Sequence, residues 1–236
     1  MIINRMESKL SQEIINGFLE VDPATIGHFL HFGFLHHSIK PLWRPVKISG
    51  PAFTVRTTAM DATMLHRCFE MLKPGDILII DRCGDNIHAG FGGVVAYASM
   101  LQKVGGVVID GLATDIREIE EYKLPVFARG LTALTVKMWG TGGDINVPVS
   151  ISGVTVNPGD LIVGDDNGIV VINPEEAPEI LKIAQDMELK EKELKDSMSK
   201  GVCLTDLTGT KNLIEADVVQ KLREIRSNKK NEEDVK

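Results

Sequence analysis

Gly90-Phe91-Gly92-Gly93-Val94-Val95-Ala96, followed by Val107-Val108-Ile109-Asp110-Gly111-Leu112-Ala113-Thr114-Asp115, is the stretch on which the reading of this chain turns. A glycine-rich turn opens an apolar helix, and a hydrophobic strand then runs out at two acidic residues, Asp110 and Asp115. Glycine at 92 and 93 lets the backbone approach a ligand closely. The amides of Val94 and Val95 fall in the first helical turn, where N–H groups lack partners within the helix. Such a turn can hold a small anion, with carboxylates as natural guests, while a carboxylate at the strand end can hold a divalent cation. Two plainer readings stand beside this one. The glycines can serve close packing alone, and Asp115 can be the N-cap of the helix that follows it.

Outward from this unit the chain alternates strand and helix. Gly50–Thr57 reads as a strand with a breaker in front, and a helix is expected around Thr63–Leu72. Pro74-Gly75-Asp76 turns the chain into strand Ile77–Asp81. Helix Gly93–Lys103, strand Val107–Asp110, helix Asp115–Tyr122 and strand Val126–Arg129 complete an α/β pattern. Upstream, Ile14, Ile15, Phe18 and Leu19 recur at helical spacing, and Asp22-Pro23 reads as an N-cap and first-turn proline. Downstream, Val147–Val156 reads as short strands broken by Gly153. Pro158-Gly159-Asp160 repeats the turn-into-strand solution, and Asp165-Asp166-Asn167-Gly168 is a hairpin signal before Ile169–Ile172. A long helix is expected from near Pro174 to about Lys200, closed by Gly201. From Glu188 it reads ELKEKELKDSMSK, so it is either a solvated face or an arm that reaches across a neighbouring subunit. The whole predicts one domain over 1–226, made of an N-terminal helical part (1–45), an α/β core (46–173) and a C-terminal helical arm (174–226). A flexible charged tail is expected at 227–236.

Composition narrows the class. The chain has 236 residues, 43% hydrophobic and 25% charged, which suits a globular protein with a substantial core. A net charge of −7 argues against nonspecific nucleic-acid or anionic-membrane binding. No apolar run reaches the ~20 residues that span a bilayer, and MIINRMESKLSQEII is too polar for a secretory signal. Cys68, Cys83 and Cys203 form no CxxC pair, so neither a zinc knuckle nor a disulfide framework is indicated. A cytoplasmic protein is the expectation, with no nucleic-acid or membrane partner. His28, His31, His36 and His37 sit in the greasy stretch HFLHFGFLHH without acidic or cysteine partners nearby, which points away from zinc. His66 reads as structural, and His88 lies close enough to the glycine turn to be a pocket candidate. Asp160, Asp165 and Asp166 read as turn residues.

The order of motifs adds a resemblance. GPAFTVRT, KPGDILIID, FGGVVAYASMLQKVGGVVIDGLATDIREI and VNPGDLIVGDDNGIVVINP together resemble the RraA-like family over roughly Asp22 to Gly201. That family includes regulators of ribonuclease E activity and divalent-metal 4-hydroxy-4-methyl-2-oxoglutarate / 4-carboxy-4-hydroxy-2-oxoadipate aldolases. The resemblance implies an α/β fold of the RraA-like, swivelling β/β/α type, with N-terminal helices and a long C-terminal helix. It implies a homotrimer or a homohexamer, with the aldolase active site between subunits. It also implies Mg²⁺ or Mn²⁺ as cofactor and a small 2-oxo acid or other carboxylate as substrate.

Position by position, Asp115 matches the family's metal-binding aspartate, and the amides of Val94 and Val95 match those that bind the substrate carboxylate beside Gly92. Thr114 stands where the aldolases carry the arginine that grips the pyruvyl carboxylate. Gly93 stands where they carry an acid linked to the proton-transferring water. Arg117, three residues after Thr114, is the candidate to supply a guanidinium in place of the missing one. Glu191 aligns best with the glutamate donated near the metal by a neighbour's C-terminal helix, with Glu188 and Glu193 as close alternatives. The expected activity is therefore a divalent-metal-dependent lyase on a pyruvyl-type acid, by retro-aldol cleavage or decarboxylation, altered at Thr114 and Gly93. The alternatives are a non-catalytic regulator that binds a protein partner, and a metal-dependent enzyme on another acidic substrate for which Thr114 and Gly93 make room.

Overall fold

The computed structural model describes residues 1–58, 60–215 and 220–224, so the charged tail at 227–236 lies outside the described residues. The chain separates into two units, Met1–Gln185 and Asp186–Lys236. In chain order, the first unit begins with α1 (Gln12–Leu19), α2 (Pro23–Ile26), β1 (Lys40–Pro41), β2 (Lys47–Arg56), α3 (Thr63–Cys68), β3 (Ile77–Asp81) and β4 (Ala89–Phe91). It continues with α4 (Gly93–Leu101), β5 (Gly106–Asp110), β6 (Leu112–Ala113), α5 (Ile116–Glu121), β7 (Val126–Ala128), β8 (Gly130–Leu131) and β9 (Asp144–Ile145). Then come β10 (Val149–Ile151), β11 (Val154–Val156), β12 (Leu161–Asp165), β13 (Ile169–Ile172) and the start of α6 (Ala177–Ser199). The second unit holds the rest of α6, then α7 (Leu204–Thr208) and α8 (Thr210–Glu215).

A mixed sheet in the order β1-β7-β5-β3-β2-β12-β13, with β9 also on β2, is the frame of the first unit. Strands β2, β3, β5 and β7 run parallel, and β12 returns antiparallel to β2 and forms a hairpin with β13. Because side chains alternate between faces along a strand, the central strands feed two cores. Phe53, Val55, Leu78, Ile80, Val107 and Ile109 pack with Leu65 of α3, Ala96 of α4 and Ile119 of α5. Ala52, Ile77, Ile79 and Val108 pack with Val149, Ile151 and Val156 of the β10–β11 hairpin. Every residue of β3 is buried, as expected of a parallel strand covered on both faces. A third cluster joins Phe18, Val163 and Val170 to Ile180, Leu181 and Ala184 at the start of α6.

Three local readings shift. Strand β2 begins at Lys47 and passes through Gly50-Pro51, which is no breaker in front of it. Its ladder with β12 covers Lys47–Pro51 and its ladder with β3 covers Ala52–Arg56. Proline lacks an N–H, and here it sits where the strand changes partners. Helix α3 stops at Cys68, and residues 69–72 continue as tighter turns ahead of Pro74. Asp22 precedes α2 without capping it, because its carboxylate is engaged by Lys47 Nζ at 2.9 Å.

The two Pro-Gly-Asp turns are built alike. Asp76 Oδ2 accepts the Lys73 N–H at 2.8 Å, and Asp160 Oδ2 accepts the Asn157 N–H at 2.7 Å. The intervening glycines have φ of +87° and +89°, the left-handed region that suits glycine. Burial pushes both carboxyl groups above their ordinary pKa, opposed by those hydrogen bonds. The long helix buries Ala177, Ile180, Leu181 and Ala184, and none of its residues after Ala184 is buried. No helix among the described residues is long and apolar enough to cross a membrane.

Candidate functional site

The site is assembled where β5 ends and α4 and α5 begin. Beneath it lies Arg82, which sequence reading passed over. Its side chain is fully buried at the end of β3, and its guanidinium donates to Thr57 Oγ1 at 2.7 Å and to Asp85 Oδ2 at 2.9 Å. Burial pulls its pKa down and Asp85 opposes that shift. A Cβ at Gly90 would stand 2.5 Å from Arg82 Cδ, and one at Gly111 would stand 2.7 Å from Arg82 Cγ. Arg82 therefore runs between the two glycine turns, and neither turn can carry a side chain at that point. His88 spends its ring on the same network, with Nδ1 at 3.1 Å from Asp85 Oδ2.

Asp110 closes β5 but belongs to the scaffold. One carboxylate oxygen accepts Arg129 Nε–H, and the other accepts the Ser152 N–H at 2.7 Å. The reading of Asp110 as an open strand-end carboxylate gives way to that pairing. The chain then forms β6 beside β4, with the Thr114 N–H bonded to the Phe91 carbonyl at 2.9 Å.

Asp115 is set apart by its backbone. It lies in the left-handed region, φ +56° and ψ 41°, which costs energy for a non-glycine residue and which Asp tolerates better than most. Its side chain does not cap its own helix. Instead Oδ2 accepts the Gly93 N–H, the first amide of α4, at 2.8 Å, and Thr114 Oγ1 lies 3.4 Å from Oδ1. With the Gly93 amide taken, the amides of Val94 and Val95 remain, and by position they have no carbonyl four residues back within α4. The close approach of α5 also accounts for both glycines. A Cβ at Gly92 would stand 2.8 Å from Asp115 Oδ2 and 2.9 Å from Thr114 Cγ2. A Cβ at Gly93 would collide with the Glu118 carboxylate.

Gly92, Gly93, Val94, Val95, Thr114 and Asp115 all line one cavity of about 250 Å³. His66 lines it too, on the exposed side of α3, and this corrects its reading as a structural residue. The signal was legible: α3 buries Met64, Leu65 and Cys68, so helical spacing leaves His66 outward. Helix α5 turns Glu118 rather than Arg117 against Gly93. Arg117 is exposed, with no side-chain hydrogen bond or ion pair among the described residues. Glu191 lies on the exposed stretch of α6, ion-paired with Lys195 one turn on. Glu188 is half-buried and Glu193 exposed on the same helix.

Asp115 is the carboxylate that could take a cation in this cavity. No group of three or more His, Cys, Asp or Glu side chains able to hold an ion occurs among the described residues. Asp115 is an exposed carboxylate with one oxygen on Gly93 and lone pairs to spare. A hard divalent cation such as Mg²⁺ takes one or two carboxylates and completes its shell with water and substrate oxygens, so the residues present fit it.

A mixed α/β sheet thus brings one carboxylate, Asp115, and the first amides of a helix, Val94 and Val95, to the wall of one cavity. The chain belongs to the RraA-like family, described as Aldolase/RraA, whose model matches residues 24–171. A protein of Halalkalibacterium halodurans named "Putative 4-hydroxy-4-methyl-2-oxoglutarate aldolase" is 36% identical over 168 residues, covering 70% of this chain and 80% of that protein. An uncharacterized protein of Methanocaldococcus jannaschii is 34% identical over 174 residues, covering 72% of this chain and 83% of its own length. Among solved structures, Streptomyces coelicolor RraAS2, described as an unusual member of the RNase ES inhibitor RraA protein family, superposes with a TM-score of 0.70. It shares 27% identity and covers 79% of this chain and 97% of that one.

Proposed function

We propose that this protein is a Mg²⁺- or Mn²⁺-dependent lyase that cleaves a small 2-oxo acid by retro-aldol reaction or decarboxylation. One observation carries the reading. The Asp115 carboxylate, fixed on the Gly93 N–H, shares a single cavity with the Val94 and Val95 amides. A cation held by Asp115 would draw electron density from the 2-oxo oxygen and stabilise the enolate left when the carbon–carbon bond breaks. The amides would orient the substrate carboxylate at the positive end of α4. Thr114 supplies a neutral hydrogen bond where a charged one would be stronger. Loss of a preorganised oxyanion donor commonly costs about 3–4 kcal/mol, so a modest rate is expected.

Assembly belongs to the proposal. Val94, Tyr97 and Leu101 are exposed along one face of α4, and Leu131, Leu134 and Trp139 are exposed in the segment after β7. Further copies of the chain, in a trimer or a hexamer, would cover such surface and bring Glu191 of a second copy to this site. The same exposed residues favour a second reading, a regulator that docks on another protein. The test is turnover of oxaloacetate and 4-hydroxy-4-methyl-2-oxoglutarate with Mg²⁺ or Mn²⁺, beside Asp115→Asn. Metal-dependent pyruvate release that drops about 100-fold or more in the variant supports the lyase. Negligible rates in both folded proteins favour the regulator or a different acid.

A further inference from the structure

We propose that the chain carries a second ligand site, a cavity of about 290 Å³ that takes a free aliphatic amino acid, its ammonium toward Asp76 and its carboxylate toward Arg5 and Lys73. Asp76 stands at the start of β3, whereas the chain reaches Asp115 only past the far end of the parallel strand β5. The two cavities share no lining residue. The inference therefore goes beyond the lyase reading and does not depend on it.

The buried part of the lining supplies acceptors. Asp76 is only 3% exposed and uses one oxygen, since Oδ2 accepts the Lys73 N–H at 2.8 Å and Oδ1 accepts no hydrogen bond among the described residues. Asn146, 4% exposed, is clasped by Asn4: its Nδ2 donates to the Asn4 carbonyl and its carbonyl accepts Asn4 Nδ2, both at 3.1 Å. The Asn146 Oδ1 is buried and meets no donor among the described residues. Buried polar atoms are almost always hydrogen-bonded, so two acceptors left over on one cavity point to a guest rich in donors. Burial also pushes the Asp76 carboxyl above its ordinary pKa, opposed by the Lys73 N–H and the Lys73 charge. A cationic donor at Oδ1 would act in the same direction as Lys73 and favour the carboxylate.

The exposed part supplies cations. Arg5 and Lys73 line the cavity, and neither side chain makes a hydrogen bond or ion pair among the described residues. Glu70, on the same wall, is engaged by Arg67 at 3.3 Å. A simple anion would be repelled by Asp76, and a simple cation by Arg5 and Lys73. A molecule with both charges, ammonium inward and carboxylate outward, satisfies each. Between them lie Phe53 and the half-buried Met6 and Met71, whose thioethers adapt to varied apolar shapes. Arg5 and Met6 follow a segment pinned to β9, where the Ile2 N–H donates to Asp144 Oδ1 at 2.7 Å and the Asn4 N–H to the Ile145 carbonyl at 3.1 Å. A bound amino acid would tie that segment to the start of β3 and shield the peptide bond after Arg5.

The test is calorimetry with L-leucine beside 4-methylpentanoate, which lacks the ammonium, and 3-methylbutylamine, which lacks the carboxylate. We expect the parent protein to bind L-leucine at least about 10-fold more tightly than either analogue, since each lost charge-assisted contact costs about a decade or more. L-leucine should also slow tryptic cleavage after Arg5. The double variant Arg5→Ala with Lys73→Ala changes only exposed side chains, so its Tm should hold while L-leucine affinity falls about 10-fold or more. Asp76→Asn should weaken L-leucine likewise, with Tm followed because Asp76 also holds its turn. A parent protein that binds none of L-alanine, L-valine, L-leucine and L-methionine overturns the proposal. So does an analogue that binds as tightly as L-leucine, or an L-leucine affinity that the double variant leaves unchanged.

Discussion

Asp110 and Asp115 lie at the two ends of one short turn, yet they do opposite work. Both oxygens of Asp110 are consumed by the protein, through Arg129 and the Ser152 amide, and its side chain is only 16% exposed. Asp115 is exposed, holds a strained backbone, and gives one oxygen to Gly93 while the rest of its carboxylate faces a cavity. A carboxylate whose lone pairs are filled by its own chain is structural. One whose position is fixed but whose lone pairs are left over is available for a ligand.

That contrast can be broken at three depths. The largest effect is expected from Arg82→Ala, because Arg82 supports both glycine turns. The change empties a fully buried site and takes from Asp85 its guanidinium, leaving it the Ile87 and His88 amides and the His88 ring; a loss of about 3–5 kcal/mol is expected, so Tm should fall by about 10 °C or more. Oxalate binding should be lost with it. Calorimetric unfolding with and without Mn²⁺ and oxalate checks both, and a variant that keeps its Tm would deny Arg82 its supporting role.

Asp110→Ala sharpens the comparison from the structural side. Losing hydrogen bonds to Arg129 and Ser152 should cost about 2–3 kcal/mol, a fall in Tm of about 5–10 °C, while metal-dependent oxalate binding survives. Asp115→Asn should behave in reverse, because Asn also tolerates the left-handed region and can still accept the Gly93 N–H. Its Tm should hold while metal-dependent binding goes. If both variants lose stability and binding alike, the division between the two ends of the turn is wrong.

The smallest effect concerns a third carboxylate of the consumed kind. Asp61 is buried and accepts hydrogen bonds from the backbone and hydroxyl groups of Thr63 and Thr141, at distances of 2.5 to 2.9 Å, tying the segment after β8 to the start of α3. Burial opposes its charge, but those bonds win and hold its carboxyl well below the ordinary range. A depressed folded pKa gives stability that is present above the unfolded value of about 3.9 and is lost as pH falls through the folded value. Tm should therefore decline as pH drops below about 4, and the decline should be shallower in Asp61→Asn. Equal slopes in the two proteins would remove Asp61 as a cause.

Much of the frame was legible because it is written locally. The two Pro-Gly-Asp turns announce their strands through a left-handed glycine and an aspartate that accepts an amide three residues back, and both interactions lie within four residues. The Gly92-Gly93 turn and its helix were visible for the same reason. Asp115 was legible as a special residue but not in its role, since the amide it caps belongs to α4 and not to its own helix. Arg82 could not be recognised as the support of the site from a lone charged residue after a strand. Its burial depends on Gly90 and Gly111, which come to it from two other segments.

The sequence by itself determined the alternation of elements, the punctuating turns, the family resemblance and the small set of residues around the glycine turn, because periodicity and turn chemistry act over a few residues. Only the tertiary structure decided what those residues face. Gly93 reads in one dimension as a missing acid, and in three dimensions as the space that Glu118 fills. His66 reads as a structural residue in one dimension and lines the cavity in three. The reason is physical: which side chain occupies a gap depends on how closely two helices approach, and that distance is set by the packed core beneath them rather than by either helix's own residues.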